Sequence, residues 1–131
     1  MLYIAGSKDS RALFTRIAKR WRPIRLLVVE GGEAGLLFAD LRHVSLVVID
    51  ATLPDVSGLE VVERLRGRQP SVPVLVLGDE PDSAQRDRFT RAGAHAYVPA
   101  PLNVLQLEQA VLDLLMAPLP TSPAAARPLS R

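Results

Sequence analysis

The chain of 131 residues contains no cysteine. That excludes a disulfide framework, a thiolate metal site and a thiol nucleophile. No apolar run approaches the roughly 18 residues needed to cross a bilayer. The first residues, Met1-Leu2-Tyr3-Ile4-Ala5, lack the charged start and the small-residue cleavage site of a secretory leader. The expectation is therefore a cytoplasmic protein without a membrane segment. The two histidines, His43 and His95, have no companions at metal-ligand spacing, so a surface role is expected for both. No acid/base or nucleophile constellation stands out either, which argues against an independent enzyme.

What is present suits one globular domain. The hydrophobic fraction is 48%, ordinary for a soluble protein. Net charge is only +2, weak ground for nucleic-acid binding. Basic residues gather near the start, at Arg11, Arg16, Lys19, Arg20, Arg22 and Arg25. They read as a solvated helix face or as a docking surface for an acidic partner.

Strand-like and helix-like segments alternate five times. The pattern predicts strands over 2–5, 24–29, 45–50, 72–77 and 94–98. It predicts helices over 10–21, 33–41, 58–66, 82–92 and, capped by Asn103, from there to about 116. Asp9 or Ser10 is the expected cap of the first helix, and Gly93 ends the fourth. Such alternation with short loops implies a parallel sheet covered by helices on both faces. The third strand, apolar throughout, belongs at the centre. The domain is expected to span 1–116. From Ala117 the Pro/Ala-rich stretch 117–131 reads as a disordered tail or the start of a linker.

One residue stands out against this frame. Asp50 closes the apolar run Leu46-Val47-Val48-Ile49, at the carboxyl end of a buried strand, where open α/β sheets place their chemistry. Leu53-Pro54 and Ser57-Gly58 follow it. Further on come Ala92-Gly93-Ala94, Tyr97 and Pro101. In this combination the chain resembles the receiver domains of two-component response regulators, over roughly residues 1–116. The resemblance implies a doubly wound (βα)5 fold of the flavodoxin-like, CheY-like kind, with strand order 2-1-3-4-5. It also implies a phosphoacceptor aspartate at Asp50, served by a histidine kinase, and a switch aromatic at Tyr97. Dimerisation is implied through the surface of the fourth helix, fifth strand and fifth helix. That surface holds Arg86, Arg88, Arg91, Tyr97, Gln106, Gln109, Ala110 and Asp113 here. The Ala100-Pro101 bond is expected to be cis.

The rest of the family's apparatus is missing. The two acidic residues that help hold Mg²⁺ are replaced by Gly6 and Ser7. Gly78 stands at the position of the phosphate-binding Thr or Ser, and Ala100 at that of the phosphate-pairing Lys. One carboxylate makes a weak Mg²⁺ site, so metal binding is expected to be weak or absent and no other cofactor is implied. Phosphoryl transfer relies on groups that stabilise charge on the phosphoryl oxygens, each worth up to a few kcal/mol. Without them transfer is expected to be slow. Lys8 is a candidate built-in counter-ion for Asp50, and Ser7 a candidate hydrogen-bond donor to it. Asp9 and Asp79 lie near the same loops but read more simply as a helix cap and a loop residue. Above Gly78, Tyr97 is free either to pack inward permanently or to swing.

The leading expectation is a pseudo-receiver that acts in signalling or transcriptional regulation through protein contacts, independently of phosphate. A DNA-binding output domain outside these residues fits that reading. Two alternatives stay open. One is a conventional receiver phosphorylated on Asp50. The other is a small anion or nucleotide binder at Gly6-Ser7-Lys8, where backbone amides open a helix.

Overall fold

The computed structural model describes residues 1–21, 24–79 and 83–116. The Pro/Ala-rich stretch 117–131 lies outside the described residues. Five strands and five helices alternate: β1 (Leu2–Ala5), α1 (Lys8–Ala18), β2 (Leu27–Glu30), α2 (Gly32–Leu41), β3 (Val47–Asp50), α3 (Gly58–Arg68), β4 (Val74–Leu77), α4 (Ser83–Ala92), β5 (Ala96–Val98) and α5 (Val104–Met116). The strands form one parallel sheet in the order β2-β1-β3-β4-β5. This is the expected doubly wound topology, with β3 at the centre and all four of its residues buried.

Because side chains alternate along a strand, the parallel register sorts the sheet into two cores. Leu2 and Ile4 pair with Val47 and Ile49, which pair with Val74 and Val76. All six face the core that also holds Leu36, Val61, Leu65 and Phe89 from α2, α3 and α4. Tyr3, Val48 and Leu75 point the other way, onto Phe14 and Ile17 of α1 and Leu107 and Val111 of α5. The ring of Tyr3 stacks on Phe14 at 4.2 Å, and Phe14 meets Trp21 edge-on.

β1 starts at Leu2 as expected, whereas β2 to β5 start two or three residues later than the apolar pattern suggests. The larger correction is at α1. It begins at Lys8, and Ser7 is its cap: the Ser7 hydroxyl accepts from the Ser10 amide at 3.1 Å. Asp9 therefore sits inside the first turn, where its charge suits the helix dipole. His95 is exposed as expected, yet it is also structural. Its Nδ1 accepts from the Val74 amide at 3.2 Å and lies 3.3 Å from the Arg66 guanidinium. Burial first, and then the Arg66 charge, hold His95 below the usual histidine range. Arg66 itself donates to four carbonyls, of Gln69, Pro70, Val72 and Gly93, pinning the end of α3 to the start of β4 and the end of α4.

Asp55 performs a task invisible in the sequence. It lies in the β3–α3 loop but caps α2, whose own cap residue, Gly31, offers no side chain. Its carboxylate accepts from the amides of Gly32 at 2.7 Å and Glu33 at 3.0 Å. Those bonds, from Glu33 first and Gly32 next, hold its carboxyl below the usual range. A carboxyl lowered on folding stabilises above its unfolded titration range, and the effect fades as pH falls through that range and below. Asp55→Ala is expected to cost about 1 kcal/mol at pH 7, in line with other lost caps. In urea unfolding the deficit relative to wild type should shrink at pH 3. An equal deficit at both pH values would show that charge plays no part in the cap.

Candidate functional site

Asp50 ends β3 on the same sheet face as Val48, since residues two apart share a face. Val48 pairs with Tyr3, so the Tyr3 side chain needs to reach only one step further along the neighbouring strand. It does: the Tyr3 hydroxyl donates to Asp50 Oδ1 at 2.8 Å. The Gly6 amide donates to Oδ2 at 2.7 Å. Asp50 is 8% exposed and is the sole buried charged residue among those described. Burial pushes its carboxyl above the usual range, and the Asp79 charge adds to that push. The Gly6 amide, the Tyr3 hydroxyl and Ser10 oppose it. The Tyr3 hydroxyl is raised in turn, mainly by burial and then by the Asp50 charge.

Gly6 does more than remove a carboxylate. A Cβ at this position would lie 2.1 Å from the Thr52 carbonyl oxygen. The loop after β3 has closed into the volume that an acidic side chain would need. The Thr52 hydroxyl is in turn bonded to Asp79 Oδ2. Mg²⁺, which this architecture implies, does not fit the residues present. Both Asp50 oxygens are engaged by protein donors, the Gly6 side is closed by backbone, and no group of three His, Asp or Glu among the described residues is placed to hold a metal.

A matching arrangement occupies the other face. Tyr97 pairs with Val76, and Gly78 lies two residues beyond Val76 on the same face. A Cβ at Gly78 would lie 2.0 Å from the Tyr97 hydroxyl oxygen. Tyr97 thus fills the space of the missing side chain. Its hydroxyl donates to Gln85 Oε1, which also accepts from the Asp79 amide at 3.1 Å. The ring packs near Phe89 and under the Arg86 guanidinium. In this structure the Tyr97 ring points inward.

The structure brings Gly6, Ser7, Asp50, Gly78 and Ala100 to one cavity of about 360 Å³, together with Asp79. Lys8 is a correction. It is exposed and lines a separate shallow groove with Arg11, Arg16 and Lys19 of α1 and Val28 of β2. It is not among the residues lining the Asp50 cavity, and Asp50 takes its bonds from Tyr3 and Gly6 instead. Ser7 is a second correction, because its hydroxyl accepts from the Ser10 amide in the α1 cap and donates to the Ser10 hydroxyl at 3.1 Å. The Ala100–Pro101 bond is cis, as expected. Tyr3 was missed in the sequence. The signal that finds it is a tyrosine inside an otherwise aliphatic strand, two residues short of the sheet's carboxyl edge.

Fold and site together define a module of the 2-1-3-4-5 α/β type with a buried aspartate at the end of its central strand. The chain belongs to the response regulator receiver domain family, whose model matches residues 2–112. It is 32% identical over 98 residues to the probable transcriptional regulatory protein TcrX of Mycobacterium tuberculosis, covering 75% of this chain and 41% of that protein. It is 31% identical over 103 residues to the KDP operon transcriptional regulatory protein KdpE of Escherichia coli, covering 77% and 45%. The chain therefore spans less than half the length of these relatives. Among solved structures, the Francisella response regulator 1452 receiver domain superposes with a TM-score of 0.78 at 20% identity, covering 88% of this chain and 95% of that one. The receiver domain of the sensor histidine kinase PA1611 from Pseudomonas aeruginosa, with a magnesium ion in its active site cleft, gives 0.80 at 16% identity, covering 88% and 96%. No helix among the described residues is long and apolar enough to cross a membrane.

Two substitutions test this geometry. Tyr3→Phe leaves the buried Asp50 short of a donor, at an expected cost of about 1–3 kcal/mol. It should also raise the Asp50 carboxyl further, read by carboxyl ¹³C titration. A folded-state pKa that is already raised makes Asp50 least unfavourable at low pH and most unfavourable once pH has risen through its folded value. The stability of wild type relative to Asp50→Asn should therefore improve from pH 7 to pH 4, opposite to Asp55. Gly78→Thr must expel the Tyr97 ring or strain the fold, an overpacking cost of about 1–3 kcal/mol. Tyr97 ring resonances unchanged in that variant would contradict the inward packing.

Proposed function

We propose that this receiver domain acts in two-component-type signalling or transcriptional regulation through protein contacts that need no phosphoryl group on Asp50, and that it is not an enzyme. The observation that carries this reading is Tyr97. In the family this aromatic changes rotamer with the phosphorylation state, whereas here its hydroxyl fills the side-chain space at Gly78 and is bonded to Gln85. Packing, the Gln85 hydrogen bond and the Arg86 guanidinium favour one position of the switch aromatic. The closed Gly6 side supports the same reading, since weak or absent Mg²⁺ binding removes the charge that phosphoryl transfer relies on.

The contact surface we favour is α4–β5–α5. Arg86, Arg88 and Arg91 are exposed on α4. On α5, Leu105, Leu112 and Met116 are 76%, 49% and 80% exposed, and with Gln109 they fall on one stripe of the helix. A second copy of the chain or another signalling protein would cover that stripe. The names of TcrX and KdpE describe transcriptional regulators. By extension a DNA-binding output domain, joined through the stretch after Met116, is the proposed recipient of the signal.

A second reading is favoured by one observation: Asp50 still lines an open cavity. On that reading a histidine kinase phosphorylates it in spite of the altered pocket. Incubation with a small phosphoryl donor, with and without Mg²⁺, separates the two. The proposed function expects no stable label on wild type and no difference from Asp50→Ala. Stable, Mg²⁺-dependent label lost in Asp50→Ala would establish the second reading and overturn the first.

A further inference from the structure

The cavity beside Asp50 has a mixed lining. Asp50 and Asp79 contribute two carboxylates, and Ser10 and Thr52 contribute hydroxyls. Leu13, Phe14, Val98 and Leu102 contribute apolar surface. No Lys, Arg or His is among the described residues that line it. Ala100 lines it with a methyl group and no charge. Two carboxylates thus share a partly enclosed space with no cation, and the charge of Asp79 already works against that of Asp50.

The occupant that such a cavity favours is set by this mixed lining. A small hard cation is disfavoured, because it needs several oxygen ligands in a fixed arrangement and no group of three His, Asp or Glu among the described residues is placed to supply them. An organic cation is different. An ammonium is a compact charge with three rotatable donors, so it can share the outer lone pairs of carboxylates that already accept one bond each. Its four-carbon stem buries well along apolar surface while the charge stays with polar groups. A cavity of about 360 Å³ holds one such side chain with room for water.

We propose that the Asp50 cavity receives a lysine side chain from a partner protein, its ammonium seated between Asp50 and Asp79 and its stem lying on Leu13 and Leu102. The proposal rests on the phosphate-independent reading above, and it names the chemistry of the partner. It turns the emptied pocket into a recognition site, in which the cation missing from the chain is supplied from outside. The arriving charge favours the ionised form of Asp50, so binding draws its carboxyl back toward the ordinary range.

The test uses the full chain and Nα-acetyl-lysine N-methylamide as probe, followed by amide NMR. The expected result is a saturable shift at Gly6, Ser10 and Thr52, with a fall in the Asp50 titration midpoint. n-Butylammonium, with the same charge and stem, should shift the same amides. The norleucine counterpart, with the stem but no charge, should bind at least about tenfold more weakly, the equivalent of about 1.4 kcal/mol. Asp50→Asn should weaken the lysine probe to a similar degree. Ala100→Lys should block it by filling the cavity from within. An equal response to norleucine, an unchanged response in Asp50→Asn, or the absence of any saturable shift overturns the proposal. Phosphoryl labelling reports separately. Mg²⁺-dependent label alongside intact probe binding would sink the phosphate-independent reading and leave the lysine site standing. Absence of both label and probe binding would sink the lysine site alone.

Discussion

The carboxyl edge of this sheet is organised by one geometric constraint: in a parallel ladder, a long side chain leaning along its strand meets the residue two places beyond its partner on the next strand. Tyr3 pairs with Val48 and reaches Asp50; Tyr97 pairs with Val76 and reaches the space above Gly78. The two diagonals lie on opposite faces, because Tyr3 belongs with the α1/α5 core and Tyr97 with the core under α3 and α4. Each tyrosine brings a hydroxyl to a place where a receiver pocket would hold an exchangeable ligand. One ring engages Asp50 and the other takes the side-chain space at Gly78, and the cavity beside Asp50 stays open.

The loop after β3 belongs to the same edge, and it carries two aspartate-dependent effects of opposite sign. Its Thr52 carbonyl occupies the Gly6 side and its Asp55 caps α2 across the loop. Asp55 is exposed and bonded only to amides, so folding favours its charge. Asp50 is buried, so folding disfavours its charge although two donors offset part of the penalty. The same residue type, five positions apart, therefore contributes to stability in opposite directions along the pH scale. Environment decides the sign.

Membership of the receiver family and the retained Asp50 describe ancestry more directly than action. The family's fold is intact, with its strand order, its two helical layers and the cis bond before Pro101. The departures at positions 6, 78 and 100 all lie at the carboxyl edge. Glycine at 6 admits the Thr52 carbonyl, glycine at 78 admits the Tyr97 hydroxyl, and alanine at 100 leaves a cavity with carboxylates and no cation among its described lining residues. The proposed phosphate-independent function rests on these three places.

Much of this was legible in the sequence. Alternating apolar strands and amphipathic helices gave the layers, because period-two and period-3.6 patterns are local consequences of backbone geometry. Asp50 was marked by its place at a strand end, and Gly6, Ser7, Gly78 and Ala100 joined it in one pocket through the resemblance to receiver domains. The Ser7 cap, the Lys8 groove and the structural bonds of His95 could not. Each depends on where a helix starts by one or two residues, or on which loop lies across a gap. Nor could the sequence decide between an inward and a mobile Tyr97, or single out Tyr3 as the partner of Asp50, or Asp55 as the cap of another element's helix. By itself, then, the sequence determined the fold, the missing pocket side chains and the retained Asp50. Only the tertiary structure decided which groups stand around Asp50, because register across strands and the path of a loop set distances that no spacing along one chain records.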